Sequence, residues 1–197
     1  VAIPIWKLAP AIACGNTVVL KPASLTPLSA GLIADIFSEC DAPPGVVNIV
    51  YGSGREVGQA LLTHSAMKGV SFTGSNEVGT KLYNTSAANG IKCQCEMGGK
   101  NPIVILDDAD LDLATNSAVQ GAYGSTGQRC TATSRAIVVD SVADQFIAQL
   151  EARVKALVVG NGLDPVTDVG PSVDQTQLDT VLNYIGVGQD EGARLIT

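Results

Sequence analysis

The chain has 197 residues, 46% of them hydrophobic, and a formal net charge of −7 at pH 7; that is enough for one domain or parts of two with a sizeable core. Nineteen acidic residues against twelve basic ones argue against nucleic-acid binding, because phosphate recognition needs a concentrated basic surface. Five scattered cysteines without a CxxC pair, and a single histidine, indicate neither a disulfide framework nor a metal site, so a reduced, cytoplasmic compartment fits best.

The apolar opening is interrupted by Pro4, Lys7 and Pro10 and follows no basic run, which makes it neither a signal peptide nor a membrane span. Pro4 suits the first turn of a helix over residues 4–14, with Gly15 as its stop. Residues 17–20 read as a short buried strand. The turn-like residues 24–27 cap a helix over 28–40, whose Leu28, Leu32, Ile33 and Ile36 fall on one face. Two prolines and a glycine in 41–45 end it. A strand at 46–50, a helix at 55–63, a strand at 69–73 and a helix at 76–87 follow. This alternation predicts an α/β fold of right-handed βαβ units, with a parallel sheet covered on both faces.

A further strand at 91–96 places Cys93 and Cys95 on the same side, where they read as core or near-core rather than as metal ligands. The pattern resumes with a strand at 102–106 and a helix at 111–120. Asp107, Asp108, Asp110 and Asp112 gather at that helix start and complement its dipole; their spacing does not fit an EF-hand loop. Beyond a polar segment lie a strand at 134–139, a long helix at 142–159, a loop rich in Gly, Asp and Pro at 160–171 and a helix at 178–186. Residues 194–197 read as entering another strand.

The polar segment Gly127-Gln128-Arg129-Cys130-Thr131-Ala132-Thr133-Ser134-Arg135 sets one cysteine among small, polar and cationic residues, and only a thiol that reaches its thiolate is a nucleophile. Glu96-Met97-Gly98-Gly99-Lys100 is a carboxylate followed by two glycines that permit close backbone approach. By themselves these residues allow two readings. In one, the thiol forms a covalent adduct and the carboxylate handles water; in the other, Cys130 is a small buried hydrophobe and Glu96 a solvated surface charge. Gly52-Ser53-Gly54-Arg55-Glu56-Val57-Gly58 lies between a strand and a helix, where backbone N–H groups can meet a phosphate, but it misses the G-x-G-x-x-G fingerprint by one residue. Phe72-Thr73-Gly74-Ser75 occupies a similar place. Lys21 closes a strand at what would be the carboxyl edge of an open sheet, or is a solvated lysine. His64 has no motif around it and reads as a surface residue.

Taken together and in order, Val19-Leu20-Lys21-Pro22-Ala23-Ser24, Phe72-Thr73-Gly74-Ser75, Glu96-Met97-Gly98-Gly99-Lys100 and Gly127-Gln128-Arg129-Cys130 resemble the aldehyde dehydrogenase superfamily over essentially the whole chain. The resemblance implies a parallel Rossmann-type cofactor-binding sheet within residues 1–97, followed by the first part of an α/β catalytic domain in 98–197. It implies that Cys130 attacks the aldehyde carbonyl, with its own N–H among the oxyanion donors, and that Glu96 activates the water that hydrolyses the thioester. For the cofactor it implies Lys21 on the adenosine ribose, Gly54 and Gly58 near the adenine, Val78 against the adenine and Ser75 on the pyrophosphate. Phe72 and Gly74 belong to that same segment, and Gly98 lies near the nicotinamide. Many NAD-preferring relatives carry glutamate where Ser24 stands; a neutral serine does not repel a 2′-phosphate, so use of both NAD and NADP is expected, with no metal.

The wording around Cys130 and Glu96 looks most like bacterial members that oxidise 2-oxoglutarate semialdehyde, also called 2,5-dioxopentanoate. Arg129 could favour a substrate with a distal carboxylate, or it could pair with a neighbouring acid. Another semialdehyde or aliphatic aldehyde remains an alternative, as does a non-catalytic dinucleotide-binding relative. Relatives that pass the acyl group to coenzyme A generally lack the glutamate corresponding to Glu96. Members of the family are more than twice this long, so the resemblance implies a central segment of a cytoplasmic homodimer or homotetramer, without a membrane partner and inactive alone. The oxyanion-hole asparagine is expected before Val1, and the carboxylate that grips the nicotinamide ribose after Thr197.

Overall fold

A computed structural model describes residues 1–197. The chain divides into two compact units, Val1–Met97 and Gly98–Thr197. The first unit runs α1 (Ala2–Ala13), β1 (Val18–Leu20), α2 (Leu28–Glu39), β2 (Val47–Ile49), a π-type turn at Gly54–Gly58 leading into α3 (Gln59–Leu62), β3 (Gly69–Gly74), α4 (Asn76–Ala88) and β4 (Lys92–Met97). The second runs β5 (Asn101–Ile105), α5 (Leu111–Tyr123), a 3-10 turn at Gly124–Gly127, β6 (Thr133–Val138), α6 (Asp140–Lys155) and α7 (Gln175–Asp190).

All strand pairing is parallel, as the βαβ alternation requires. Val18 lies opposite Val47, Val70 opposite Cys93 and Ile103 opposite Ala136. The strands form three two-stranded sheets, β1-β2, β3-β4 and β5-β6, rather than a single sheet. Each pair is the product of one crossover helix: α2, α4 and α5. Periodicity specifies such local crossovers; it carries no signal for hydrogen bonding between successive units.

In the second unit, α5 and α6 pack on one side of β5-β6. Ile105, Ala118 and Phe146 are buried there, with Ile103, Leu111, Ala114, Val138 and Leu150 around them. Strand side chains alternate faces, and the opposite face of this pair, with Val104 and Ile137 in register, is exposed. The expected covering of both faces is therefore absent from this sheet. Thr115 is buried beside the core, and its hydroxyl donates to the Leu111 carbonyl (2.6 Å), with Gln149 Oε1 also within reach at 3.1 Å, so the buried hydroxyl is partnered.

Helix α2 departs from its predicted orientation. Ala30 and Ile33 are buried, whereas Leu28 is 84% and Leu32 65% exposed. The apolar residues form two rows, and the row with the small side chain of Ala30 is the one turned inward. Helix α6 ends at Lys155, four residues early: Val159 instead forms a parallel bridge with Val169, and the Asp168 carboxylate accepts from the Val158 N–H (2.9 Å). Helix α7 is longer than predicted and stops before Gly192, whose φ of +93° favours glycine. No strand forms at 194–197. No helix is long and apolar enough to cross a membrane.

The acidic cluster resolves into two structural tasks. Asp110 caps α5, accepting from the Leu113 N–H at 3.0 Å, and Asp112 pairs with Arg153 of α6 at 2.8 Å. The five cysteines are free thiols, with Cys14, Cys40 and Cys130 exposed and Cys93 and Cys95 half-buried.

Candidate active site

Within the first unit, the residues singled out for cofactor binding lie at or just beyond the carboxyl ends of β1, β2 and β3, the edge at which open α/β sheets bind ligands. After β1, the Lys21 ammonium turns back onto the Pro22 carbonyl (2.6 Å), and the Ser24 hydroxyl donates to the Gly52 carbonyl (3.3 Å). That bond joins the turn after β1 to the turn after β2. Ser53 caps the helical stretch that follows: its Oγ accepts from the Glu56 N–H and donates to the Glu56 carboxylate, both at 3.1 Å. Gly54 and Gly58 face open space, since an added Cβ would meet nothing within 4 Å at either.

After β3, Ser75 is the N-cap of the 13-residue helix α4, its Oγ accepting from the Val78 N–H at 3.4 Å. The leading N–H groups of such a helix are unsatisfied from within and, with the dipole, favour an anion. The Phe72 ring lies beneath Gly74, where a Cβ would run into it, and Gly79 lets α4 press against Met97 of β4. Val78 is exposed. Gly98, which opens the second unit, likewise leaves room for a neighbour.

Glu96 is exposed on β4, in register with Thr73 of β3. It ends a polar line across the strands. Lys7 Nζ donates to Ser71 Oγ (2.9 Å), Ser71 Oγ to Gln94 Oε1 (3.3 Å) and Gln94 Nε2 to Glu96 Oε1 (3.2 Å). Burial pushes the Lys7 pKa down, opposed by the charges of Glu96 and Cys95. On the other face of β4, the Cys93 and Cys95 sulfurs lie 3.5 Å apart; burial, then the contact with Cys93, pushes the Cys95 thiol up. Sequence reading missed Lys7, Ser71 and Gln94, although the alternation of Cys93-Gln94-Cys95-Glu96 already placed Gln94 on the face of Glu96.

In the second unit, Cys130 is exposed in an irregular segment between α5 and β6. Ser125 (φ +54°) and Thr126 (φ +54°) lead into it in the left-handed region, followed by Gly127 (φ +67°), a conformation that costs non-glycine residues energy. The Gln128 amide donates to Thr126 Oγ1. A turn closed by the Ala132 N–H on the Arg129 carbonyl (3.0 Å) puts Cys130 at its first corner, where its own N–H donates to no backbone carbonyl. The Cys130 carbonyl accepts from Asn101 Nδ2 at 2.8 Å, a partner the sequence reading did not single out. The Arg129 guanidinium donates to the Gln120 carbonyl at 2.8 Å. It thus closes the end of α5 and makes no salt bridge with a neighbouring acid.

A profile of the aldehyde dehydrogenase family matches residues 1–197. The chain is similar to alpha-ketoglutaric semialdehyde dehydrogenase of Bacillus subtilis (strain 168), at 47% identity over 196 residues, covering 100% of this chain and 40% of that protein. It is also similar to retinaldehyde dehydrogenase 3 of Mus musculus, at 46% identity over 191 residues, 96% of this chain and 37% of that one. Among solved structures it resembles betaine aldehyde dehydrogenase from Staphylococcus aureus in complex with NAD+, with a TM-score of 0.95 at 38% identity over 98% of this chain and 38% of that chain. The chain spans 37 to 40% of the length of these curated relatives.

Proposed function

The chain belongs to the aldehyde dehydrogenase family, and on that premise we propose that it carries the nucleophile, the base and part of the dinucleotide site of a cytoplasmic NAD(P)-dependent aldehyde dehydrogenase. In this reading Val1–Met97 is part of the cofactor-binding domain and Gly98–Thr197 the first part of the catalytic domain. The assembled enzyme is a homodimer or homotetramer. The observation that carries it is the setting of Cys130: an exposed thiol at a turn corner, with its own N–H free to face a developing oxyanion.

The residues suit a dinucleotide. The N-terminus of α4, capped by Ser75, offers N–H groups to a phosphate, Gly54 and Gly58 leave space, and Lys21 and neutral Ser24 follow β1 without a carboxylate that would repel a 2′-phosphate. Phe72, Gly74, Val78 and Gly98 complete the proposed set. Bound NAD or NADP supplies the acceptor for the hydride that leaves the substrate carbon.

The protein's own steps are these. The Cys130 thiolate adds to the aldehyde carbon, and the Cys130 N–H donates to the resulting oxyanion. Once that carbon is oxidised to a thioester, Glu96 takes a proton from water, whose oxygen attacks the thioester carbonyl. The carbon–sulfur bond breaks, the carboxylic acid leaves and the thiolate is restored.

The substrate we propose is 2-oxoglutarate semialdehyde, supported by the likeness to the Bacillus subtilis enzyme; comparable identity to a retinaldehyde enzyme makes the aldehyde the part to test. Arg129 reaches a substrate carboxylate only by sharing a guanidinium that already serves Gln120. The test is NAD and NADP reduction by the full-length protein with 2-oxoglutarate semialdehyde, succinic semialdehyde and simple aliphatic aldehydes, with Cys130→Ala as control. Preference for the first, with either cofactor and abolished in the control, is expected. Equal rates across the panel would discard the substrate, and cysteine-independent turnover would discard the mechanism.

A further inference from the structure

Cys130 has no regular secondary structure to hold it, yet a nucleophile must be placed to within a fraction of an ångström, because a misplacement of about 1 Å can cost on the order of a hundredfold in rate. The structure shows one side chain that ties its turn down from outside. Asn101, the first residue of β5, donates through Nδ2 to the Cys130 carbonyl at 2.8 Å and to the Ala132 carbonyl at 3.1 Å. Both protons of the amide are therefore engaged, one on each side of Thr131.

The anchor itself is fixed. The Asn101 carbonyl accepts from the Ser134 hydroxyl (3.4 Å), and the preceding Lys100 carbonyl accepts from the Arg135 guanidinium (2.9 Å). Pairing jumps from Asn101 with Thr133 to Pro102 with Arg135, so Ser134 is an extra residue on β6. A bulge of this kind redirects the chain locally, and here it lies where the Cys130 turn joins the strand. Gly99 completes the arrangement: an added Cβ would sit 3.0 Å from Asn101 Oδ1.

We infer that Asn101 is a positioning residue for the nucleophile, a latch whose two hydrogen bonds hold the Cys130 turn on the end of β5 and thereby set where the thiol and the Cys130 N–H point. The latch rests on the reading of Cys130 as the nucleophile. It acts on the carbonyl side of the turn and leaves both the thiol and the N–H free for substrate. A single polar residue on a rigid strand thus gives a loop residue the fixed geometry that its own backbone lacks.

The test is rapid-mixing measurement of the first-turnover NAD(P)H burst in the full-length protein, comparing Asn101→Ala and Asn101→Asp with the parent. Asp keeps the shape of Asn but turns a carboxylate oxygen on the two carbonyls. Both variants are expected to lower the burst rate constant by about tenfold or more, while the burst amplitude, which counts competent sites, stays near the parent value. A merely structural role for Asn101 would reduce the amplitude through loss of folded protein and leave the rate constant per titrated site unchanged; that result overturns the latch. Cys130→Ser separates the two levels. If it keeps the burst, the nucleophile assignment fails; if it abolishes the burst while the Asn101 variants retain the parent rate constant, only the latch fails.

Discussion

The two groups proposed to do the chemistry are held in place by opposite means. Glu96 stands on β4, its backbone locked in register with Thr73 and its carboxylate at the end of a line of polar side chains from β4, β3 and α1. Cys130 stands in a turn, preceded by two strained residues, and relies on Asn101, 29 residues back along the chain. A strand fixes direction through its two-residue period, so the base inherits its orientation from the strand ladder. A turn fixes little by itself, so the nucleophile's placement is delegated to a distant side chain and to backbone conformations that cost energy.

The largest change should come from opening the core on which β5 rests. Phe146 fills the core against Ile105, which ends β5, and Phe146→Ala is expected to cost about 3–5 kcal/mol, seen as a lower urea midpoint for the second unit. At the strand-borne site the corresponding blow is Gly79→Ala, whose Cβ would drive into the Met97 sulfur next to Glu96. Overpacking of this kind costs about 1–3 kcal/mol, and the variant should lose hydrolysis along with stability, because β4 must shift to admit the methyl group. A stability loss without any change in hydrolysis would show that Glu96 does not depend on that packing.

The strained approach to Cys130 gives a smaller and two-sided effect. Ser125 has φ +54°, which a β-branched residue tolerates poorly. Ser125→Val should destabilise by about 1–3 kcal/mol, whereas Ser125→Gly should be neutral or slightly stabilising; thermal melts of the pair measure the difference. Equal melting temperatures would mean that the left-handed turn is not maintained in solution.

The smallest effect concerns the thiols themselves. Burial holds the Cys95 pKa above the ordinary thiol value, so at any given pH below that value it carries less thiolate than an unperturbed cysteine and reacts more slowly. Alkylation with iodoacetamide near pH 8, read by mass mapping, should modify exposed Cys14, Cys40 and Cys130 before Cys95. Rapid labelling of Cys95 would show that β4 is open enough to release its base.

Much of this contrast was legible beforehand, for a physical reason. The strands and helices follow from period and punctuation, and β3, α4, β4 and β5 fall within a residue or so of where the spacing puts them. Glu96 and Gln94 share a face because strand residues two apart always do. In helix α2 the predicted face of Leu28, Leu32, Ile33 and Ile36 holds only for Ile33, because packing selects the row of Ala30 and Ile33. Asn101 was invisible because nothing local marks a side chain whose partners lie 29 and 31 residues away. The contact of the Arg129 guanidinium with the Gln120 carbonyl in the last turn of α5 carries no local sequence signal.

The division of labour between the two sites is tested most directly by rapid-mixing kinetics of Glu96→Gln in the full-length protein, with Cys130→Ala beside it. Glu96→Gln is expected to give a single burst of about one NAD(P)H per site and then nearly stall, its steady rate down by about 10²-fold or more for loss of the base, while Cys130→Ala gives no burst. Steady turnover of Glu96→Gln at the parent rate, or a burst from Cys130→Ala, would contradict that division of labour.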